Sequence, residues 1–224
     1  MPALNTDEFM EGKTVEYVKL ANGVEIPKIG YGVFQISKDD APRRVREAIE
    51  TGYRHIDTAQ SYFNEAEVGQ GIKDSGIDRK DLFLTTKIWI SNYGYENTLR
   101  SVDVSLKKLG TDYLDLVLLH QPFSDTYGAW RALEKLYKDG VIRAIGVSNF
   151  MPHHIELLKA HCEILPMVNQ LRLCPGVTQP EVVAYCKKNN ILVESYSPFG
   201  TGAIFKVPQM QQLAQKYGRS VGQI

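Results

Sequence analysis

The stretch Tyr113-Leu114-Asp115-Leu116-Val117-Leu118-Leu119-His120 decides how the chain reads. Its apolar core is too short for a helix and lacks the alternation that would leave one face wet, so it predicts a strand covered on both sides. It ends on an imidazole. Before it, Leu99, Val102, Leu106 and Leu109 share one face of a helical period that closes at Gly110. After it, Trp130, Leu133 and Tyr137 repeat that period as far as Gly140. A glycine just past an amphipathic segment supplies the positive φ that helix ends favour. Helix, buried strand, helix is the repeating unit of a parallel α/β fold.

The unit recurs in both directions. Short apolar runs at 28–34, 54–58, 82–88, 143–148, 167–171 and 191–197 bring the count to seven strands. Val45, Ala48 and Ile49 form another helical stripe, closed by Gly52, and Pro152 and Pro180 stand where two further helices begin. Ahead of the repeats, Val15, Tyr17 and Leu20 lead through Asn22-Gly23 to Val24 and Ile26, which predicts a β-hairpin with both turn residues at positive φ. No linker or low-complexity tract divides residues 1–224, so one domain is expected.

Two architectures accommodate such alternation. A doubly wound dinucleotide fold needs a Gly-rich turn after its first strand, but Gly69-Gln70-Gly71 lacks the third glycine and lies in a helical stretch. A (β/α)₈ TIM barrel instead explains what ends the strands. Asp57, Lys87, His120, Ser148-Asn149, Gln170 and Tyr196 close six successive runs, and strand C-termini of a barrel converge on one mouth.

Charge and composition narrow the partners. The chain has 26 Lys+Arg against 26 Asp+Glu, which leaves no basic field for nucleic acid or an anionic membrane surface. No apolar run approaches the ~18 residues of a membrane helix, and residues 1–13 lack the apolar core of a signal peptide. Cys162, Cys174 and Cys186 form no C-x-x-C pair and read as buried reduced thiols, without a metal. His153, His154 and His161 form no H-E-x-x-H pattern and read as exposed helix residues, and Arg43-Arg44 as a solvated helix face. The expectation is a soluble, cytoplasmic monomer or dimer.

At the mouth, Asp57 is expected to pair with Lys87, whose charge would act on the phenol of Tyr62 in the following loop. Lowering a tyrosine pKa by ~2 units takes about 2.7 kcal/mol of differential stabilisation and makes the phenol a general acid near neutral pH. Singly, each residue also reads as structure: an ion pair, a core imidazole, a packing aromatic. Together they point to a site.

Four segments carry a specific resemblance: Gly52-Tyr53-Arg54-His55-Ile56-Asp57-Thr58-Ala59 followed by Tyr62, Thr85-Thr86-Lys87-Ile88-Trp89, Leu116-Val117-Leu118-Leu119-His120, and Gly146-Val147-Ser148-Asn149-Phe150. The chain resembles the aldo-keto reductases over nearly its whole length. Gln121-Pro122 and Tyr127-Gly128-Ala129-Trp130 look most like the bacterial 2,5-diketo-gluconate-reductase-like branch. The resemblance implies reduction of a small aldehyde or ketone by NADPH, with NADH left open. It makes Tyr62 the proton donor, Lys87 the group that acidifies it, Asp57 the orienting carboxylate and His120 the residue that orients the carbonyl. Ser148, Asn149 and Gln170 would hold the nicotinamide carboxamide, Tyr196 would stack on the ring, and Phe34, Trp89 and His120 would line the substrate pocket.

Leu171-Arg172-Leu173-Cys174-Pro175 departs from the family, which commonly has an acidic, an aromatic and a histidine residue before the proline. The family also has an eighth strand, a phosphate-binding segment and two further helices beyond the point reached at Gln223-Ile224, so a C-terminally incomplete barrel is expected. A non-catalytic barrel that senses cofactor or binds a partner is the alternative from another class. A barrel hydrolase or lyase using Asp57 and His120 lacks an evident nucleophile.

Overall fold

A computed structural model describes residues 14–224. Residues 1–13, read above as lacking a signal-peptide core, lie outside it. The chain opens with an antiparallel hairpin of β1 (Tyr17–Lys19) and β2 (Glu25–Pro27), in which Lys19 faces Glu25. The turn differs from the expected one. Gly23 takes positive φ (86°) and Asn22 does not, while the Gly23 N–H donates to the Leu20 carbonyl and the Leu20 N–H to that of Val24. The longer loop therefore closes on one left-handed residue, the three-residue variant of a hairpin turn.

Seven parallel strands follow in chain order, each at a predicted run: β3 (Tyr31–Gly32), β4 (His55–Asp57), β5 (Phe83–Ile88), β6 (Leu114–Leu119), β7 (Ile142–Ser148), β8 (Val168–Arg172) and β9 (Leu192–Tyr196). Between them run α1 (Ala41–Thr51), α2 (Glu65–Ser75), α3 (Tyr95–Leu109), α4 (Thr126–Lys138), α5 (Pro152–Lys159) and α6 (Pro180–Lys188), with α7 (Pro208–Tyr217) after β9. The sheet is rolled. A flat sheet would hold β4 and β8, four places apart, roughly 19 Å from each other. Instead, Gln170 on β8 donates to the Asp57 carboxylate on β4 at 2.9 Å. This curvature is that of an α/β TIM-type barrel, and it brings the strand ends to one mouth.

Burial follows the sequence reading in β5 and β6, where every residue is buried. Strand β9 is half-exposed because it has a ladder partner on one side alone, β8. Gly52 and Gly110 cap α1 and α3 in the left-handed conformation, as predicted. The Gly69-Gln70-Gly71 run lies inside α2 and serves packing. A Cβ on Gly69 would stand 2.7 Å from the Leu109 carbonyl oxygen, and one on Gly71 2.5 Å from that of Pro42, so α2 lies close against its neighbours on both sides. No helix among the described residues is long and apolar enough to cross a membrane.

Two further expectations need correction. His153 is exposed on α5, but His154 is half-buried because its Nδ1 accepts the Met151 N–H at 3.0 Å and so caps the helix start. His161 lies beyond the end of α5, its ring tilted against that of Tyr127. Of the three cysteines, all free, Cys186 is buried, while Cys162 and Cys174 lie half-buried near the surface.

Candidate active site

The barrel wall places each predicted polar residue near the C-terminal end of its strand. Asp57 is the last residue of β4, Lys87 the second last of β5, and His120 follows β6 directly. Ser148 ends β7, Asn149 follows it, Gln170 lies in β8 and Tyr196 ends β9. Tyr62 closes a one-turn 3₁₀ segment, Gln60–Tyr62, that folds back over the mouth from β4.

Lys87 is the centre of the group and is 1% exposed, so its charge depends wholly on its partners. Nζ donates to Asp57 Oδ1 at 2.5 Å and to the Thr58 carbonyl at 3.0 Å, and its third contact is the Tyr62 hydroxyl at 3.4 Å. Burial pulls the ammonium toward neutrality, but Asp57 and Tyr62 outweigh it and raise the pKa above the ordinary lysine value. A buried lysine is thus kept charged.

The phenol behaves differently from the sequence expectation. Burial raises the Tyr62 pKa and is the largest effect; Lys87 pulls it down without overcoming burial. In the protein alone Tyr62 is therefore protonated throughout the neutral range, and its acidification is partial. The reason is geometric: the loop that brings the ring to Lys87 also packs it against Phe34, with ring centroids 5.0 Å apart, and against His120 at 5.8 Å.

His120 is held near Trp89, with centroids 5.1 Å apart, and its pKa falls to about 4, first from burial and then from the Lys87 charge. A neutral imidazole faces the mouth. Its Nδ1 lies 3.3 Å from Ser61 Oγ, a contact the sequence reading did not anticipate. Gln60 was also missed: its Oε1 accepts the Trp89 N–H at 3.0 Å and Asn92 Nδ2 at 2.8 Å, which fixes the chain beneath Trp89.

On the other side of the mouth the remaining four residues form a second hydrogen-bonded group. Ser148 Oγ donates to the Gln170 carbonyl at 2.9 Å, and Asn149 Nδ2 reaches the His120 carbonyl at 3.2 Å. The Tyr196 hydroxyl donates to Asn149 Oδ1 at 2.9 Å. Asn149 adopts the left-handed conformation (φ 63°), which turns its amide back toward the strand ends. Gln170 joins the two groups through its bond to Asp57 Oδ2. The structure thus brings together all ten residues singled out from the sequence; Phe34, at 55% exposure, forms the outer rim.

Fold and site together define a barrel enzyme whose polar groups gather at the C-terminal mouth. A model of the aldo/keto reductase family matches residues 28–221, and the chain belongs to that family. Glyoxal reductase of Bacillus subtilis (strain 168) is 51% identical over 209 residues, which cover 92% of this chain and 76% of the relative. The crystal structure of an aldo/keto reductase from Brucella melitensis is 46% identical with a TM-score of 0.90, over 94% of this chain and 82% of that one. A Bombyx mori aldo-keto reductase solved in complex with NADP is 34% identical with a TM-score of 0.88, over 95% of this chain and 79% of that one.

Proposed function

We propose that the chain is the barrel domain of an NADPH-dependent reductase of small aldehydes or ketones, acting in the cytoplasm. The observation that carries this reading is Lys87 Nζ set between Asp57 Oδ1 and the Tyr62 hydroxyl. The donor set fits a nicotinamide carboxamide, since Ser148, Asn149 and Gln170 offer both amide donors and acceptors at adjoining strand ends, with the Tyr196 ring beside them. The NADP complex of the Bombyx mori relative supports the same cofactor here. When bound, the cofactor supplies the hydride.

The residues of the chain would do the rest. A substrate oxygen entering past Phe34 and Trp89 would meet two groups near one another, the Tyr62 hydroxyl and the neutral His120 ring. His120 orients the carbonyl by hydrogen bonding. Tyr62 donates its proton to the oxygen as negative charge develops there. The phenolate left on Tyr62 lies 3.4 Å from a permanent ammonium, so Lys87 favours the state in which the proton has gone. Asp57 keeps Lys87 charged and in place. Because Tyr62 starts protonated, Lys87 is needed during transfer more than before it.

The test is aldehyde-dependent oxidation of NADPH, with glyoxal, from the name of the Bacillus subtilis relative, as first substrate. Turnover that falls at least ~10²-fold in Tyr62→Phe while NADPH quenching is retained is the expected result. Unaltered turnover in that variant, or no NADPH binding by the wild type, would sink the proposal.

A further inference from the structure

One half-buried ionisable side chain at the mouth has no part in that mechanism. Glu194 lies on β9 in register with Gln170 on β8, and two residues before Tyr196, so it shares their face of the wall. Its Oε2 is buried and has no hydrogen-bond partner among the described residues. Gln170 lies between two carboxylates, with Glu194 beside it in register on β9 and Asp57 on the other side, where the Gln170 amide donates to Asp57 Oδ2 at 2.9 Å. Asp57 Oδ1 holds Lys87, and Lys87 reaches Tyr62. A hydrogen-bonded chain therefore runs across the barrel from Gln170 through Asp57 and Lys87 to the phenol, with Glu194 at its β9 end.

The charged groups that act on Glu194 are Asp57 from β4 and Lys87 from β5. With Glu194 protonated, the group contains one anion and one cation. With Glu194 ionised, two half-buried carboxylates share one ammonium, and the field that Lys87 presents to Tyr62 is partly cancelled. We propose that Glu194 is a positioning residue that sets the charge seen by Tyr62 by acting on the Asp57–Lys87 pair. Burial, followed by the Asp57 charge, pushes its pKa up to about 7, so the switch between the two states falls in the working range. As a carboxylate it makes the phenol harder to deprotonate, and as an acid it lets Lys87 act in full. The functional consequence rests on the reductase reading above; the charge coupling itself does not.

The experiment uses the chain without cofactor. Carboxyl ¹³C resonances of Glu-labelled protein, with Glu194 identified by its loss in Glu194→Gln, are titrated together with the Lys87 Nζ resonance. Glu194 is expected to titrate near pH 7 rather than near the ordinary ~4.3, and the Lys87 signal to move at the same pH. In parallel, phenolate absorbance of Tyr62 is taken as the difference from Tyr62→Phe. In Glu194→Gln the phenolate fraction at fixed alkaline pH should rise by about tenfold, the order expected for removing one charge several ångströms away at an effective dielectric near 20. A Glu194 that titrates in the ordinary carboxylate range, a Lys87 signal blind to it, or an unchanged Tyr62 titration would each overturn the proposal. Should Glu194→Gln fail to fold, the wild-type Lys87 titration decides alone: an inflection near neutrality supports the coupling, and its absence refutes it. Absent carbonyl turnover with these titrations intact would instead count against the reductase reading.

Discussion

The two ends of the barrel hold similar chemistry and use it differently. At the N-terminal end, Asp115 is fully buried and accepts from Arg79 at 2.7 Å, from Arg143 at 2.6 Å and from the Leu84 N–H at 2.9 Å. At the mouth, Lys87 is equally buried but divides its hydrogens between Asp57, Thr58 and a phenol. The same contrast separates two imidazoles. His55 and His120 both have pKa values lowered to about 4, with burial the largest cause. His55, however, is enclosed: it bonds Thr85 Oγ1 at 2.9 Å, lies against Phe83, and leaves so little room that a Cβ on Gly30 would come within 2.7 Å of its Nδ1. His120 has a partner on Nδ1 and an aromatic mouth around it. A shifted pKa therefore does not distinguish a site from a support. What distinguishes them is whether the buried group still has a hydrogen-bonding direction left to offer.

The contrast breaks if the wrong end controls the rate. Lys87→Met should lower kcat for carbonyl reduction by ~10²-fold or more, because the developing phenolate loses its cation, and steady-state kinetics beside Tyr62→Phe would show whether the two losses overlap. Asp115→Ala should leave kcat near wild type and cost about 3 kcal/mol of stability, the low end for a broken buried pair because both arginines reach solvent. Denaturant unfolding reads this directly, and a rate loss without a stability loss would contradict the division.

The pair of histidines sharpens it. An imidazole held at about 4 stays neutral in the folded chain while the unfolded chain, near 6.5, takes up a proton. Stability is then complete above about pH 6.5 and declines as pH falls toward 4, by roughly 2–3 kcal/mol for each ring. His55→Gln and His120→Gln should each flatten that acid limb of the unfolding profile, but the rate should suffer with His120 alone. Least in size is the cofactor contact: Tyr196→Ala should weaken NADPH binding severalfold to tenfold by fluorescence titration, since stacking is worth ~0.5–1.5 kcal/mol beyond area burial.

Much of this organisation was legible in the residues. Seven apolar runs became seven strands, and the polar residue closing each of the last six came to the mouth, because a strand-end position is fixed by topology once the strand is found. Less legible was whatever depended on side-chain direction or local packing. The Tyr62 pKa was expected to fall, yet burial, which a sequence does not display, outweighs Lys87. Asn22 looked like a left-handed turn residue, but the hairpin placed Gly23 there alone. Glu194 left a signal that went unused: Leu192, Glu194 and Tyr196 alternate along one strand, so placing Tyr196 at the mouth also placed a carboxyl group there. Ser61 and Gln60 left none, since a 3₁₀ turn has no period to read.

Asp57 accepts from Lys87 with one oxygen and from the opposite wall with the other. That second bond is a spoke across a wheel. Slackening of the rim between β4 and β8 would be transmitted to the very carboxylate that keeps the ammonium aimed at its phenol, so barrel girth and chemical competence are mechanically one quantity. On gentle heating, reactivity should therefore fade while the helical circular dichroism is still intact, as a drum loses its pitch before its skin tears.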